Sequence, residues 1–263
     1  MNLTDIIYEV SEGVAMITLN RPDTLNSFNE AMHHSLHLAL DSAAKDSQVR
    51  AVYLTGAGRA FCAGQDLSDP MVKPAEPMPN LGNVIESYYN NTVKRLYHME
   101  KPVVCAVNGI AAGAGANIPL ACDFVIAAKS AKFVQAFCKI GLIPDSAGTW
   151  LLPRLVGLAR AKQLAMLGNP LSAEQAVNWG LIFKAVDDDL LHEESIAFAK
   201  QLATQPTLAL TKTKQALDLS FNNSLEDQLD VERDIQTRLG NSDDYKEGVN
   251  AFIEKRQPDY KGC

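Results

Sequence analysis

The stretch over residues 107–150 constrains the fold of this chain more than any other. It opens VNGIAAGAGA (107–116) and closes GLIPDSAGTW (141–150). The first part is nearly bare backbone. Small residues at that density let a main chain approach a ligand closely and present N–H groups to it. The second part carries one carboxylate, Asp145, between Pro144 and Ser146. A lone acid beside such a backbone can move a proton or attack an electrophile. The stretch therefore predicts a backbone that stabilises a negative oxygen and an aspartate that does the chemistry.

Composition narrows the class of partner. The 263 residues carry a formal net charge of −7, which argues against nucleic acid, whose binders present a basic face. Length and a 47% hydrophobic content suit one large domain, or a core with an appendage, that needs no staples. The five cysteines (Cys62, Cys105, Cys122, Cys138, Cys263) form no C-x-x-C pair and no zinc spacing. They read as reduced, buried hydrophobes of a cytoplasmic protein. Asp5 interrupts before an apolar leader develops, and no apolar run approaches a membrane span, so neither leader nor membrane is expected.

Periodicity predicts an α/β fold. Residues 6–20 read as two strands around a Glu12-Gly13 turn. A helix follows, capped in Ser27-Phe28-Asn29-Glu30 and running to about Lys45, with Met32, Leu36, Ala39, Leu40 and Ala43 on one face. His33 and His37 are i, i+4 on this helix, but no third ligand accompanies them, and a solvated face is the expectation. Residues 50–55 and 103–107 are buried strands, 124–127 and 131–133 shorter ones. Residues 56–67 read as a loop, and the four prolines of 70–79 as a mobile surface loop. Helices are expected over 81–99, 113–121, 159–168, 192–203, 208–221 and 225–239, with a start at Ser172 and a last strand at 182–186. The alternation indicates βαβ units with ligands at the strand ends.

Four motifs in this order resemble the crotonase (enoyl-CoA hydratase/isomerase) superfamily. They are LNRPDTLNSFN (19–29), GRAFCAGQDL (58–67), KPVVCAVNGIAAGAGANIPLACD (101–123) and AKFVQAFCKIGLIPDSAGTWLLPRLVG (131–157). The ending DYKEGVNAFIEKRQPDYKG (244–262) resembles the family's C-terminal helix. The resemblance implies a crotonase-like ββα spiral core over residues 1–200 and a C-terminal helical oligomerisation region over 201–263. It also implies an acyl-CoA thioester as substrate, with no separate cofactor and no metal.

By the same resemblance, the thioester oxygen would rest on the backbone N–H groups of Gln65 and Ala114. Such donors are worth about 3–4 kcal/mol each where charge develops on the oxygen. Ala63, Asp66, Leu67 and Gly113 would flank them, and Arg21, Thr24, Leu25 and Asn26 would lie near the pantetheine and phosphates of CoA. Lys255, or its neighbour Arg256, would reach the 3′-phosphate. Ala114 stands where the family commonly has a third glycine, a mild change because the donor is main chain.

The acids depart from the hydratase pattern. Hydratases of the superfamily use two glutamates to add water; at those places this chain has Asn117 and Phe137. Simple hydration is therefore disfavoured, and Asp145, where many hydratases carry glycine, is left as the base. Apolar walls such as Phe137, Ile143 and Trp150 are expected to raise its pKa. One base beside an oxyanion hole suits carbon-to-carbon proton transfer. The motifs are most similar to the branch that isomerises ring epoxides of phenylacetyl-CoA to oxepins. That branch also shifts 3,4 double bonds to 2,3. A nucleophilic aspartate in a hydrolase or dehalogenase, a hydratase-like enzyme and a non-catalytic scaffold are the alternatives. The resemblance further implies a homotrimer or a dimer of trimers, and leaves room for association with other enzymes of phenylacetate catabolism.

Overall fold

The computed structural model describes residues 3–263. Two sheets organise it. The first contains β1 (Ile6–Ser11), β2 (Val14–Leu19), β3 (Ala51–Gly56), β5 (Val103–Val107), β7 (Phe124–Ala128) and β10 (Lys184–Val186), in that order. The second contains β4 (Ala60–Cys62), β6 (Ile110–Ala112), β8 (Lys132–Val134) and β9 (Leu171–Ser172). Antiparallel pairing is confined to β1–β2 and β8–β9. The remaining pairs are parallel. Parallel strands must be buried on both faces, which explains the near-continuous apolar runs of β3 and β5.

Each long parallel strand hands the chain to a short strand of the second sheet: β3 to β4, β5 to β6, β7 to β8. A helical segment then returns it. This repeated ββα turn is the spiral that the motifs implied. The hand-overs are tight. A Cβ on Gly109, at the β5–β6 corner, would lie 2.2 Å from the Arg59 carbonyl oxygen. The strands β4 and β6 were expected as loop and Gly-rich backbone, and β9 was not expected at all. Strands of two or three residues leave no periodicity to read.

Helix α1 (Glu30–Lys45) starts where the cap predicted, with the Asn29 side chain accepting from the Met32 N–H. Its apolar face is buried as expected. The histidines correct the expectation of a solvated face. His33 is fully buried, His37 half-buried, and only His34 is exposed. α2 (Leu81–Val84), a π-helical turn (Ile85–Tyr89) and α3 (Asn90–Tyr97) continue one another, then α4 (Ala114–Asn117) follows β6. α5 (Gly148–Leu167) begins eleven residues before the expected helix and breaks at Gly157, whose φ of 76° is left-handed. α6 (Ala173–Asn178) is capped by Ser172 as predicted. α7 (Leu191–Ala203) packs on β3, β5 and β7, and α8 (Thr207–Ser220), α9 (Leu225–Leu239) and α10 (Asp243–Glu254) complete the chain. The proline-rich segment is an exposed loop without regular structure.

Candidate active site

The loops after β2 and β4 converge because backbone pairs tie them. Phe28 N–H donates to the Gly64 carbonyl at 2.7 Å, and Asp66 N–H to the Phe28 carbonyl at 2.9 Å. Ala63 N–H donates to the Leu25 carbonyl at 2.9 Å. These bonds skip Gln65, whose N–H donates to no protein group among the described residues. Ala114 opens helix α4, where the first amides have no intrahelical acceptor, and its N–H is also unengaged. A Cβ on Gly64 would lie 2.8 Å from the Ala112 carbonyl oxygen and 3.7 Å from the Ala114 nitrogen, so glycine there lets the two donor loops close together. Main-chain donors without a protein acceptor are the kind of group that an oxyanion hole uses.

Asp145 lies in the turn that launches α5, near enough to Tyr89 for its charge to help raise that phenol's pKa. Ser146 and Ala147 both hold left-handed φ values, 50° and 60°. Such conformations persist in non-glycine residues only where the surroundings over-determine them. Part of the clamp is Asn117. Its Nδ2 donates to the Asp145 carbonyl at 2.8 Å, while its Oδ1 accepts from Gln135 Nε2 at 2.7 Å. A Cβ on Gly148 would come within 2.3 Å of Asn117 Nδ2, so glycine is the residue this packing admits.

The Asp145 carboxylate has one side-chain partner, Ser146 Oγ, which donates to Oδ1 at 2.9 Å. Burial pushes its pKa up to about 6, partly offset by that hydrogen bond. A carboxylate poised there accepts and returns a proton near neutrality. The expected apolar wall is narrower than predicted. Phe137 is buried and its ring edge lies against Gly113, but Ile143 is exposed and Trp150 sits at the surface beneath the Arg154 guanidinium. Tyr89 and Phe137 face this region instead.

The predicted CoA residues divide. Thr24 is exposed and Leu25 half-buried in the left-handed turn beside Gly58 and Ala63. Leu67 is exposed next to Asp66. Arg21 is turned into its own loop: it donates to the Ser27 carbonyl at 2.6 Å and to Asp66 Oδ2 at 3.1 Å. Asp66 is held below the usual carboxylate range first by Ser68 and then by Arg21, and the Arg21–Asp66 pair joins the loop after β2 to the loop after β4. Lys255 ends α10 in the left-handed region, exposed and without an ion pair among the described residues. Arg256 beside it is paired with Glu247 and Glu254. Three site residues had no sequence signal strong enough to select them: Gln135, Ser146 and Tyr89. No group of His, Cys, Asp and Glu among the described residues is arranged to hold a metal ion.

The model of the enoyl-CoA hydratase/isomerase family matches residues 9–263. The chain belongs to that family. Among its relatives, the 1,2-epoxyphenylacetyl-CoA isomerase of Escherichia coli is 55% identical over 98% of both chains. The trans-2-decenoyl-[acyl-carrier-protein] isomerase of Streptococcus mutans is 35% identical over the full length of both. The crystal structure of an enoyl-CoA hydratase from Bacillus anthracis superposes with a TM-score of 0.92 at 34% identity, covering 99% of this chain and 100% of that one. This enoyl-CoA hydratase/isomerase family member is thus an α/β enzyme of the isomerase–hydratase type, acting on acyl-CoA.

Proposed function

We propose that this enzyme isomerises ring-1,2-epoxyphenylacetyl-CoA to the oxepin-CoA, and shifts 3,4-enoyl-CoA double bonds to the 2,3 position. The observation that carries the reading is the acid: Asp145 is desolvated to a pKa of about 6, and the Gln65 and Ala114 N–H groups find no acceptor among the described residues. The likeness to the E. coli epoxyphenylacetyl-CoA isomerase supports the substrate. Asp145 removes a C2 proton, the enolate oxygen rests on the two N–H groups, and the epoxide-bearing ring expands as the proton returns on the ring side. Nothing is added or lost, so the step needs no redox or metal cofactor. Asn117 cannot take up a proton at neutral pH, and the Phe137 ring fills the space an attacking water would need; both favour isomerisation over hydration.

The same reading includes a homotrimer or dimer of trimers in the cytoplasm, serving phenylacetate catabolism. Helix α9 supports the assembly, because it buries none of its side chains within the chain and exposes Leu225 and Leu229. Lys255, unpaired, is the cation we assign to the CoA 3′-phosphate.

Incubation with epoxyphenylacetyl-CoA and with a 3-enoyl-CoA, followed by ultraviolet spectroscopy, tests the assignment. A spectral change with the epoxide supports it; inertness toward both substrates removes it. Turnover in ¹⁸O-water separates the hydrolytic alternative, since a nucleophilic aspartate would acquire label.

A further inference from the structure

We infer that Tyr89 is a positioning residue for the oxyanion donor, acting through the Gln65 side chain; this rests on the reading of Gln65 N–H as a thioester contact. Tyr89 lies at the end of the π-helical turn Ile85–Tyr89, a rare local geometry that shifts the side chains beyond it around the helix axis. Its ring is buried, and its hydroxyl donates to Gln65 Oε1 at 2.7 Å. Burial raises the phenol pKa well above 10, so the hydroxyl keeps its proton and remains the donor.

The ring that aims this hydroxyl is itself held on two sides. Phe28 meets it edge-on at 6.0 Å, and His33 edge-on at 4.5 Å. Phe28 is also the residue whose N–H and carbonyl bracket Gln65 in the backbone pairing. The side chain of Gln65 is therefore gripped at Oε1 by Tyr89, while its Nε2 donates to the Asp66 carbonyl at 3.3 Å. That leaves the Gln65 peptide little freedom to rotate, although its N–H has no partner of its own. A free donor without such a grip would reorient toward water between turnovers, and preorganisation is where an oxyanion hole gains its strength. Tyr89 thus fixes a donor it never touches directly.

The test is a double-mutant cycle of Tyr89→Phe and Gln65→Ala, which remove the hydroxyl and the amide but leave the ring and the backbone N–H. Each single variant is expected to lower kcat roughly tenfold with KM changed less than twofold, and the double variant is expected to be no worse than either single one. Infrared difference spectra of bound phenylacetyl-CoA, ¹³C-labelled at the thioester carbonyl, supply a second readout. Wild type and Asp145→Asn should show the same red-shifted carbonyl, and Tyr89→Phe should lose part of that shift. Because this probe does not react, failure of Asp145 as the base leaves the spectra unchanged. Wild-type turnover by Tyr89→Phe, a double variant showing the product of the two losses, or an unshifted carbonyl in wild type would each overturn the inference.

Discussion

Asn117 Nδ2 donates to the main-chain carbonyl of Asp145 across 2.8 Å, so a buried amide holds the loop that carries the candidate base. The amide works because it has both a donor and an acceptor. Its Oδ1 is taken by Gln135, and a carboxylate there could not donate to the Asp145 carbonyl at neutral pH.

Replacing Asn117 by alanine should leave the Gln135 amide and the Asp145 carbonyl unpaired in a buried site. The expected cost is about 1–3 kcal/mol of stability, read by denaturant unfolding. A 10- to 100-fold fall in kcat should accompany it as the Asp145 turn relaxes. Gly148→Ala should mimic both effects, because its methyl would meet Asn117 Nδ2 at 2.3 Å.

The pH profile follows from the state of Asp145. The base must be ionised, so kcat/KM should fall as pH drops through about 6 and be level above it. Ser146→Ala removes the one hydrogen bond that favours the ionised form, and should move that midpoint upward. A profile whose midpoint stays put in the Ser146 variant would remove the hydroxyl from the account.

His33 predicts acid sensitivity of the fold. Burial is the largest cause that lowers its pKa to about 3, so it is neutral when folded and protonated when unfolded between about 3 and 6.5. Stability from this group is complete above 6.5 and declines by about 1.4 kcal/mol per pH unit below it, down to about 3. His37, lowered to about 4, adds to the decline. Both His33 ring nitrogens are buried without partners, between the faces of Phe28 and Tyr88. His33→Phe should therefore raise the melting temperature and flatten its dependence on pH, measured calorimetrically from pH 5 to 8.

What could be read in the sequence was whatever the physics writes locally. Asn29 and Ser172 cap helices because a side-chain oxygen two or three residues ahead of an amide is visible in the chain itself. The long parallel strands announce themselves as apolar runs, whereas β4 and β6 are specified by what they pair with and by glycines that admit close backbones. The site divides the same way. Gln65, Ala114 and Asp145 sit in motifs, but Tyr89 reaches Gln65 from 24 residues away through a π-turn with no sequence mark. His33 was expected in water because i, i+4 spacing says which side chains share a face, and not what covers it. Arg21 was read as lying near CoA, and its pairing with Asp66, 45 residues away, has no mark in the chain.

The central claim is that Asp145 is the working base. The most direct measurement is single-turnover conversion of epoxyphenylacetyl-CoA by Asp145→Asn, followed in the ultraviolet beside wild type. The variant should bind the thioester with little change and convert it at least about a hundredfold more slowly. Wild-type turnover by Asp145→Asn would contradict it.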